Sequence, residues 1–149
     1  MRPPYWYLVI VEAAVVKDGR YLVIVRGAEE THAPGALALP GGKVENASSA
    51  DNVLEETIRR EVAEETGVEV YDDLEYVESS AFITDGGEPA VDVVFLCRYK
   101  SGTPTVADPG EVAAIRWMTV QEVLEHPQMP AWTRQSIERA ERKRSAKRW

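Results

Sequence analysis

The sequence predicts an α+β fold in which a central mixed β-sheet is flanked by helices. Two apolar, β-branched runs, 7–16 and 21–27, are separated by Asp18-Gly19, which is a hairpin turn signal. An amphipathic helix is predicted over about 53–66. Strands and helices mix without the regular βαβ alternation of a parallel sheet. The length of 149 residues is that of one domain, so 1–149 is expected to fold as a unit.

The segment between the hairpin and the helix is expected to be a long loop. Residues 28–52 are rich in Pro and Gly and show no helical or strand periodicity. A loop of this length inside a small domain is usually functional. Asp51 or Asn52 is expected to cap the helix that follows, and Gly67 to end it.

The second half of the chain returns to strands and ends in helices. Three strands are predicted, at 74–84, 90–100 and 114–120. Thr119 and Glu122 have the spacing of a capping box, which indicates a short helix. A last helix is predicted from about Trp132, and its basic end, residues 139–149, is expected to be a solvated or frayed tail of that helix.

The charge distribution argues against a general nucleic-acid-binding protein. The net charge is −8, although residues 134–149 carry seven basic and two acidic side chains, which leaves −13 on the remainder. An acidic body fits a protein that holds divalent cations. No secretory signal or membrane-length apolar run is visible, and Cys97 is the single cysteine. We therefore expect a cytoplasmic protein in which Cys97 is a buried small hydrophobe.

The predicted helix carries three closely spaced carboxylates. Glu61, Glu64 and Glu65 fall within about 100° of one another on a helical wheel, and they border the apolar stripe marked by Ile58 and Val62. Two carboxylates about 6 Å apart repel by roughly 3 kcal/mol at an effective dielectric near 20. A cation among them would offset this repulsion, and Mg²⁺ or Mn²⁺ suits hard oxygen ligands. Helix geometry alone leaves a metal site and an acidic surface face both open.

The stretch before the helix resolves this choice through a family resemblance. LPGGKVE at 39–45 leads into RREVAEETGV at 59–68, and Gly42 to Val68 resembles the Nudix box, the signature of the Nudix hydrolase family. The second half of that signature is complete, and the order of hairpin, loop, helix and strands is also similar over nearly the whole chain. The resemblance implies the Nudix α/β/α sandwich, a mixed sheet between layers of helices.

The chain departs from the family pattern in the loop before the helix. Counting back from the helix places the first box glutamate at Asn52, and counting forward from Gly42 places it at Ser48. The stretch ENASSADN at 45–52 thus contains about four extra residues. Glu45 and Asp51 are the candidate substitutes, and the departure puts the loop geometry and the rate in question.

The resemblance implies hydrolysis of a diphosphate bond with Mg²⁺, or Mn²⁺, as cofactor. Glu61 and Glu65 would be inner metal ligands, Glu64 would complete the cluster, and Gly41 would offer its backbone carbonyl.

Catalytic roles are implied for the same helix and for one later loop. Arg60 would orient Glu64 through a charge-assisted contact. The base that activates water varies in the family, so a helix glutamate such as Glu61 or Glu64 remains a candidate beside Glu111. Glu111 is as readily interpreted as a solvent-exposed loop acid.

The substrate is not encoded in the box. Arg26, Phe82 and Phe95 are the candidate substrate-binding residues. The expected partner is a small-molecule nucleotide, a nucleoside di- or triphosphate or a nucleoside diphosphate derivative, rather than nucleic acid or a membrane; a homodimer is left open. Two alternative functions remain: a nucleotide sensor with weak catalysis, and an RNA 5′-end pyrophosphohydrolase that uses the basic tail.

Overall fold

The computed structural model describes residues 6–45 and 51–149, which form eight strands and three helices. The strands are β1 (Leu8–Lys17), β2 (Arg20–Arg26), β3 (Leu37–Ala38), β4 (Gly41–Lys43), β5 (Glu69–Val70), β6 (Glu75–Ile83), β7 (Pro89–Ser101) and β8 (Val112–Thr119). The helices are α1 (Val53–Thr66), α2 (Val120–Glu125) and α3 (Ala131–Lys147).

The sheet is mixed, as predicted. Its main path runs β3-β2-β1-β7-β5, with β4 paired to β1, β6 to β7 and β8 to β2. The β1–β7 pair is parallel over nine residues, from Leu8 opposite Ala90 to Val16 opposite Arg98. The other pairings are antiparallel. The parallel pair at the centre brings together two segments that are about 80 residues apart in sequence.

Successive side chains of the central strands point to opposite faces of the sheet, so the core has two layers. Val11 and Val15 pack on one face of the sheet with Ile58 of α1. Val16 packs on the opposite face with Ile137 of α3. Each fully buried aliphatic side chain of this size stabilises the fold by roughly 1.5–3 kcal/mol. The two cores hold helices against both faces, which confirms the α/β/α sandwich.

The bounds of α1 agree with the prediction, but its N-terminal cap does not. Asn52 occupies the N-cap position with a left-handed φ of 54° and makes no side-chain capping hydrogen bond. Gly67 ends the helix at φ 75°, and its N–H donates to the carbonyl of Ala63 over 2.9 Å. Glycine suits this end because it adopts positive φ without strain.

The capping box of α2 is confirmed. The Glu122 N–H donates to the Thr119 hydroxyl, and the Thr119 N–H donates to the Glu122 carboxylate, each over 3.1 Å. Two backbone donors at the helix start are thereby satisfied.

The predicted long loop is partly ordered into strands, and the basic tail is helical. β3 and β4 lie within 28–52, where two- and three-residue strands leave too little sequence for a periodic signal. Residues 46–50 of the extra loop segment lie outside the described residues. α3 continues to Lys147, so residues 139–147 form a terminal helix, which agrees with the solvated alternative and not with the frayed one. Arg144 anchors it by donating to Glu141 over 2.8 Å and to the Trp149 carbonyl over 2.5 Å.

Two further features bear on the sequence analysis: the burial of Cys97 and the length of the helices. Cys97 is fully buried, as predicted. Within 6–45 and 51–149, the helices lack the length and apolar character that crossing a bilayer requires.

Candidate active site

The Gly-Gly turn brings the backbone against both β1 and α1. Gly41 and Gly42 lie in β4, opposite Glu12 and Val11 of β1. A Cβ atom on Gly41 would lie 2.1 Å from the Val11 carbonyl oxygen, and one on Gly42 would lie 2.5 Å from the carboxyl carbon of Glu61. At position 41 the close atom is backbone, so only glycine allows this approach, whereas a side chain at position 42 would displace the Glu61 carboxylate. The turn thus holds backbone groups directly against the carboxylates of α1.

Glu65 is the α1 carboxylate most enclosed by protein. Its Oε1 accepts a hydrogen bond from the Gly41 N–H over 2.9 Å. Burial raises the pKa of Glu65 from 4.5 to about 7. Repulsion from Glu61 and Glu111 adds to this shift, and the Gly41 hydrogen bond and the charge of Arg26 oppose it. Loss of hydration and repulsion between carboxylates therefore outweigh one N–H donor and one nearby cation.

Glu61 and Glu64 share one cation. Arg60 Nη1 lies 3.1 Å from Glu61 Oε1 and 3.4 Å from Glu64 Oε2. The Glu61 side chain is 16% exposed and that of Glu64 61%, so the contact with Glu61 is the less screened of the two. Burial raises the pKa of Glu61, an effect that Arg60 opposes and that Glu64 and Glu45 reinforce. The contact expected between Arg60 and Glu64 is present, but Arg60 lies closer to Glu61.

The carboxylates point toward different partners in this structure. In the part of the chain that the structure describes, no three His, Cys, Asp or Glu side chains converge closely enough to hold a metal ion. Glu65 is turned to the Gly41 N–H, whereas Glu61 and Glu64 are turned to Arg60. Hydrogen bonds to these donors replace part of the hydration that each carboxylate loses. A shared cation would require the side chains to reorient, which rotation about the glutamate side-chain bonds permits.

A cavity of about 730 Å³ opens beside these carboxylates. Its size is within the range of small-molecule sites. It contains the predicted residues Gly41, Glu61, Glu65, Arg26, Phe82 and Glu111. Phe95 is 7% exposed and packs in the core beside α1, so its expected place in the pocket is corrected. The side-chain direction of a strand residue depends on register, which the sequence does not reveal.

Glu111 belongs to the site through the fold of its loop. It lines the cavity together with Glu61 and Glu65, and it also lines a small recess that includes Glu64. The Gly27 N–H donates to the Glu111 carbonyl over 2.8 Å, and the Glu111 N–H donates to the Asp108 carbonyl over 3.1 Å. These bonds tie the loop to the end of β2 and hold Glu111 at the cavity.

Sequence reasoning missed a second acidic pair, Glu12 and Asp92. Glu12 lines the cavity but is otherwise enclosed by protein, and it is hydrogen-bonded to Asp92. Burial raises the pKa of Glu12 well above its ordinary value, and the contact with Asp92 and repulsion from Glu78 and Glu65 add to the shift. Burial also raises the pKa of Asp92, although the bond from Glu12 opposes it. A proton held between the two side chains would remove the repulsion that two buried carboxylates exert on each other.

A signal for this pair was present in the sequence. Glu12 is the single charged residue in the apolar run YLVIVEAAVV at 7–16. A carboxylate in a central strand needs a partner. The partner, Asp92, could not be identified because the parallel register of β1 and β7 is a tertiary property.

Two loops beside the cavity are joined by a contact that sequence reasoning also missed. His32 Nδ1 lies 2.6 Å from Asp85 Oδ2, which joins the loop after β2 to the β6–β7 turn. Arg26 supports the first loop by donating from Nε to the His32 carbonyl over 2.8 Å and by pairing with Glu30 at 3.3 Å. Arg26 therefore both lines the cavity and holds its rim.

Comparisons with known proteins agree with this architecture. The family model described as NUDIX domain matches residues 7–140. A crystal structure of a MutT NUDIX hydrolase from Burkholderia pseudomallei is 30% identical, covers 90% of this chain and 98% of its own, and has a TM-score of 0.74. The MutT protein from Methanosarcina mazei Go1 is 25% identical, with coverage of 95% and 98% and a TM-score of 0.75.

A third solved structure extends the similarity of fold. A NUDIX hydrolase from Nitrosomonas europaea is 20% identical, covers 93% of this chain and 90% of its own, and has a TM-score of 0.76. At this identity the likeness concerns the fold alone. A search of curated proteins found no match.

Proposed function

Because this chain belongs to the NUDIX domain family and is thus a hydrolase acting on pyrophosphate bonds, we propose that its substrate is a nucleotide. The substrate class is a nucleoside di- or triphosphate or a nucleoside diphosphate derivative, and the reaction depends on Mg²⁺, or on Mn²⁺. Water attacks one phosphorus of the diphosphate linkage, and the bond from that phosphorus to the bridging oxygen breaks. The products are two phosphate-bearing fragments.

The observation that carries this proposal is the composition of one cavity. Glu61, Glu65 and Glu111 line it beside Arg26 and Phe82. Carboxylates suit cations that bind phosphate, and a guanidinium offsets further phosphate charge. The Phe82 side chain is 44% exposed, so its ring is available to stack on a base. The cavity thus combines groups that suit a diphosphate with a ring that suits a nucleoside base.

The chemistry of the donor set fits a divalent cation. Oxygen atoms of Glu61, Glu64, Glu65 and the Gly41 carbonyl would hold it, and divalent metals are generally used by NUDIX enzymes. Crowding of the carboxylates also favours a bound cation, because burial and repulsion from neighbouring carboxylates raise the pKa of both Glu61 and Glu65. When bound, the cation offsets phosphate charge and makes water more acidic.

The remaining steps fall to this chain's own side chains. Glu111 accepts the proton of the attacking water. Arg60 positions Glu61 and Glu64 through its two contacts. Arg26 and Lys43, which both line the cavity, draw the charged phosphates toward the carboxylates. His32 and Asp85, which contact each other, also line the cavity.

A hydrolysis screen tests the proposal. Nucleoside triphosphates, ADP-ribose, dinucleoside polyphosphates and capped RNA would be incubated with the protein in Mg²⁺ and in Mn²⁺, and the products identified. We expect turnover of at least one small nucleotide, lost in excess chelator and restored by Mg²⁺. Glu111→Gln should lower kcat by about 10²–10⁴-fold with a smaller change in KM, as expected for loss of a general base. Binding without turnover for every compound would favour the sensor, and turnover of capped RNA alone would favour the RNA 5′-end enzyme.

A further inference from the structure

The two outer strands of the sheet, β6 and β8, differ in how their edges are protected. β8 carries an exposed arginine, Arg116, near its middle. In β6, residues 79–83 read Ser-Ser-Ala-Phe-Ile, and all five are exposed without a charge among them. Phe82 and Ile83 are 44% and 67% exposed. Proteins usually protect edge strands with charged residues, proline or bulges. The first half of β6 carries Glu78 and a register shift, whereas residues 79–83 have none of these features.

The inner side of this segment is already paired in regular register. Ser79 to Ile83 lie opposite Val93 to Pro89 of β7, and the register shift in this pair falls earlier, between Tyr76 and Glu78. In the described part of the chain, β7 is the only strand paired with β6. Backbone N–H and C=O groups on the outer side of 79–83 therefore face away from the sheet and can pair with another strand.

We propose that residues 79–83 of β6 bind the same segment of a second copy of this chain, as an antiparallel pair about a two-fold axis at Ala81. An antiparallel strand pair is self-complementary, which is the requirement for a two-fold interface. In this register, Ser80 lies opposite Phe82 of the second copy, and Ser79 lies opposite Ile83. Each large apolar side chain then faces a small one across the pair, which favours close packing.

The flanking charges also suit this register. With Ala81 on the axis, Glu78 lies opposite Thr84 of the second copy, and Asp85 lies opposite Val77. No carboxylate faces another, so the pair avoids the repulsion that directly opposed like charges produce. The acidic residues at both ends of the uncharged segment instead disfavour longer, shifted pairings.

The interface would adjoin the cavity. Phe82 and Ile83 line the cavity, whereas Ala81 does not. A second copy would therefore lie along the cavity wall and steady the β6–β7 turn that carries Asp85. An interface of five residues per strand buries a small area compared with most stable protein–protein interfaces. We therefore expect a weak, reversible dimer whose population rises with protein concentration.

Cross-linking at the axis tests the geometry. Residues directly opposite in an antiparallel pair have Cα atoms roughly 4.5–5.5 Å apart, which a disulfide can span. Cys97 is buried, so a thiol introduced by Ala81→Cys can cross-link only to its copy in folded protein. With diamide as oxidant, we expect Ala81→Cys to form a covalent dimer rapidly. The matched control is Ala113→Cys, at an exposed alanine on β8, which should cross-link slowly.

A charge-swap experiment tests the same contact without a covalent bond. Sedimentation velocity over a concentration series should show a monomer–dimer equilibrium for the unmodified protein. Ala81→Glu and Ala81→Lys should each be monomeric, with unchanged circular dichroism because Ala81 is exposed. An equimolar mixture of the two should dimerise again. Trp132→Glu, at an exposed apolar residue of α3, should dimerise like the unmodified protein.

Several outcomes would overturn the proposal. An unmodified protein that stays monomeric at every concentration has no such interface. Equal cross-linking of Ala81→Cys and Ala113→Cys would indicate random collision. Dimers that persist in Ala81→Glu would place the contact elsewhere, and open-ended aggregates in place of dimers would indicate unspecific edge pairing.

Discussion

Glu61 and Glu65 of α1 line the same cavity as Glu12 of the sheet, but the α1 carboxylates and the Glu12–Asp92 pair are neutralised in different ways. On α1, Glu61 and Glu64 contact Arg60, and Glu65 accepts a backbone N–H. In the sheet, Glu12 is bonded to Asp92, and Asp92 Oδ1 is buried without a hydrogen-bond partner among the described residues. No cation is among the causes that shift the pKa of either member of the sheet pair.

This difference explains why one group suits a metal ion and the other a proton. The α1 carboxylates lie on one helix, one turn apart, with the cavity open beside them, so they can rotate toward a shared cation. Glu12 and Asp92 lie on neighbouring strands and are enclosed by protein, where a proton removes the repulsion without requiring space. The predictions below test this contrast, from the largest expected effect to the smallest.

Replacing one α1 carboxylate should remove most of the activity. Glu65→Gln keeps the size of the side chain but removes the charge that the proposed cation needs. We expect turnover in Mg²⁺ to fall by several orders of magnitude. Steady-state kinetics on the substrate found in the screen would measure this.

Glu56→Gln is the matched control for that variant. Glu56 is on the same helix, is 70% exposed and pairs with Arg59 at 3.5 Å, away from the cavity. Its replacement should leave turnover near that of the unmodified protein. Near-normal turnover in Glu65→Gln would refute the metal role of Glu65.

The same variant should become more stable than the unmodified protein in chelator at neutral to alkaline pH. The pKa of Glu65 is raised from 4.5 to about 7, so the folded state binds the proton more tightly than the unfolded state. That contribution is fully present below about pH 4.5 and is lost as the pH rises through about 7. Glu65→Gln avoids the loss, with a gain of up to about 3 kcal/mol at pH 8.

Chemical denaturation at pH 4.5 and pH 8 would measure this difference. The two proteins should have similar free energies of unfolding at the lower pH and diverge at the higher one. Added Mg²⁺ should reverse the order at pH 8, because it stabilises only the protein that binds it. A constant difference at both values would show that ionisation of Glu65 is not the cause.

Replacing the proton-sharing glutamate should change the pH dependence of stability without a metal effect. The raised pKa of Glu12 means that its contribution is lost as the pH rises through the folded-state pKa. Glu12→Gln keeps an N–H donor for Asp92 and cannot ionise. We expect a gain on the order of 1 kcal/mol over the unmodified protein in alkaline buffer, independent of Mg²⁺.

Glu138→Gln, at an exposed position of α3, is the control for that variant. It should alter the free energy of unfolding by less than about 0.5 kcal/mol at any pH. If Mg²⁺ stabilised the unmodified protein but not Glu12→Gln, the contrast between a cation site and a proton site would fail.

The smallest effect is expected in the loop that precedes α1. Deleting four residues of 45–52 and placing Glu at position 52 should leave turnover within about tenfold, or 1.4 kcal/mol of barrier. Most of this loop lies outside the described residues. Complete loss of turnover in a folded deletion variant would show that the loop supplies a catalytic group.

Local signals in the sequence were sufficient for the elements and for one side of the site. The hairpin at Asp18-Gly19, the bounds of α1 and the Thr119–Glu122 capping box all depend on residues close in the chain, and all were predicted. The α1 carboxylates could be identified together because a helix places residues three and four apart side by side.

Tertiary structure decided which strand residues reach the cavity and which strands meet. Phe82 lines the cavity and Phe95 lies in the core because the register of β6 on β7 sets their directions. Glu12 and Asp92 are 80 positions apart in sequence, and only the parallel β1–β7 pairing brings them together. A strand's alternation shows that two faces exist, but not which neighbour lies across them. Pairing between distant strands is chosen by the energy of the whole core, which short sequence patterns do not carry.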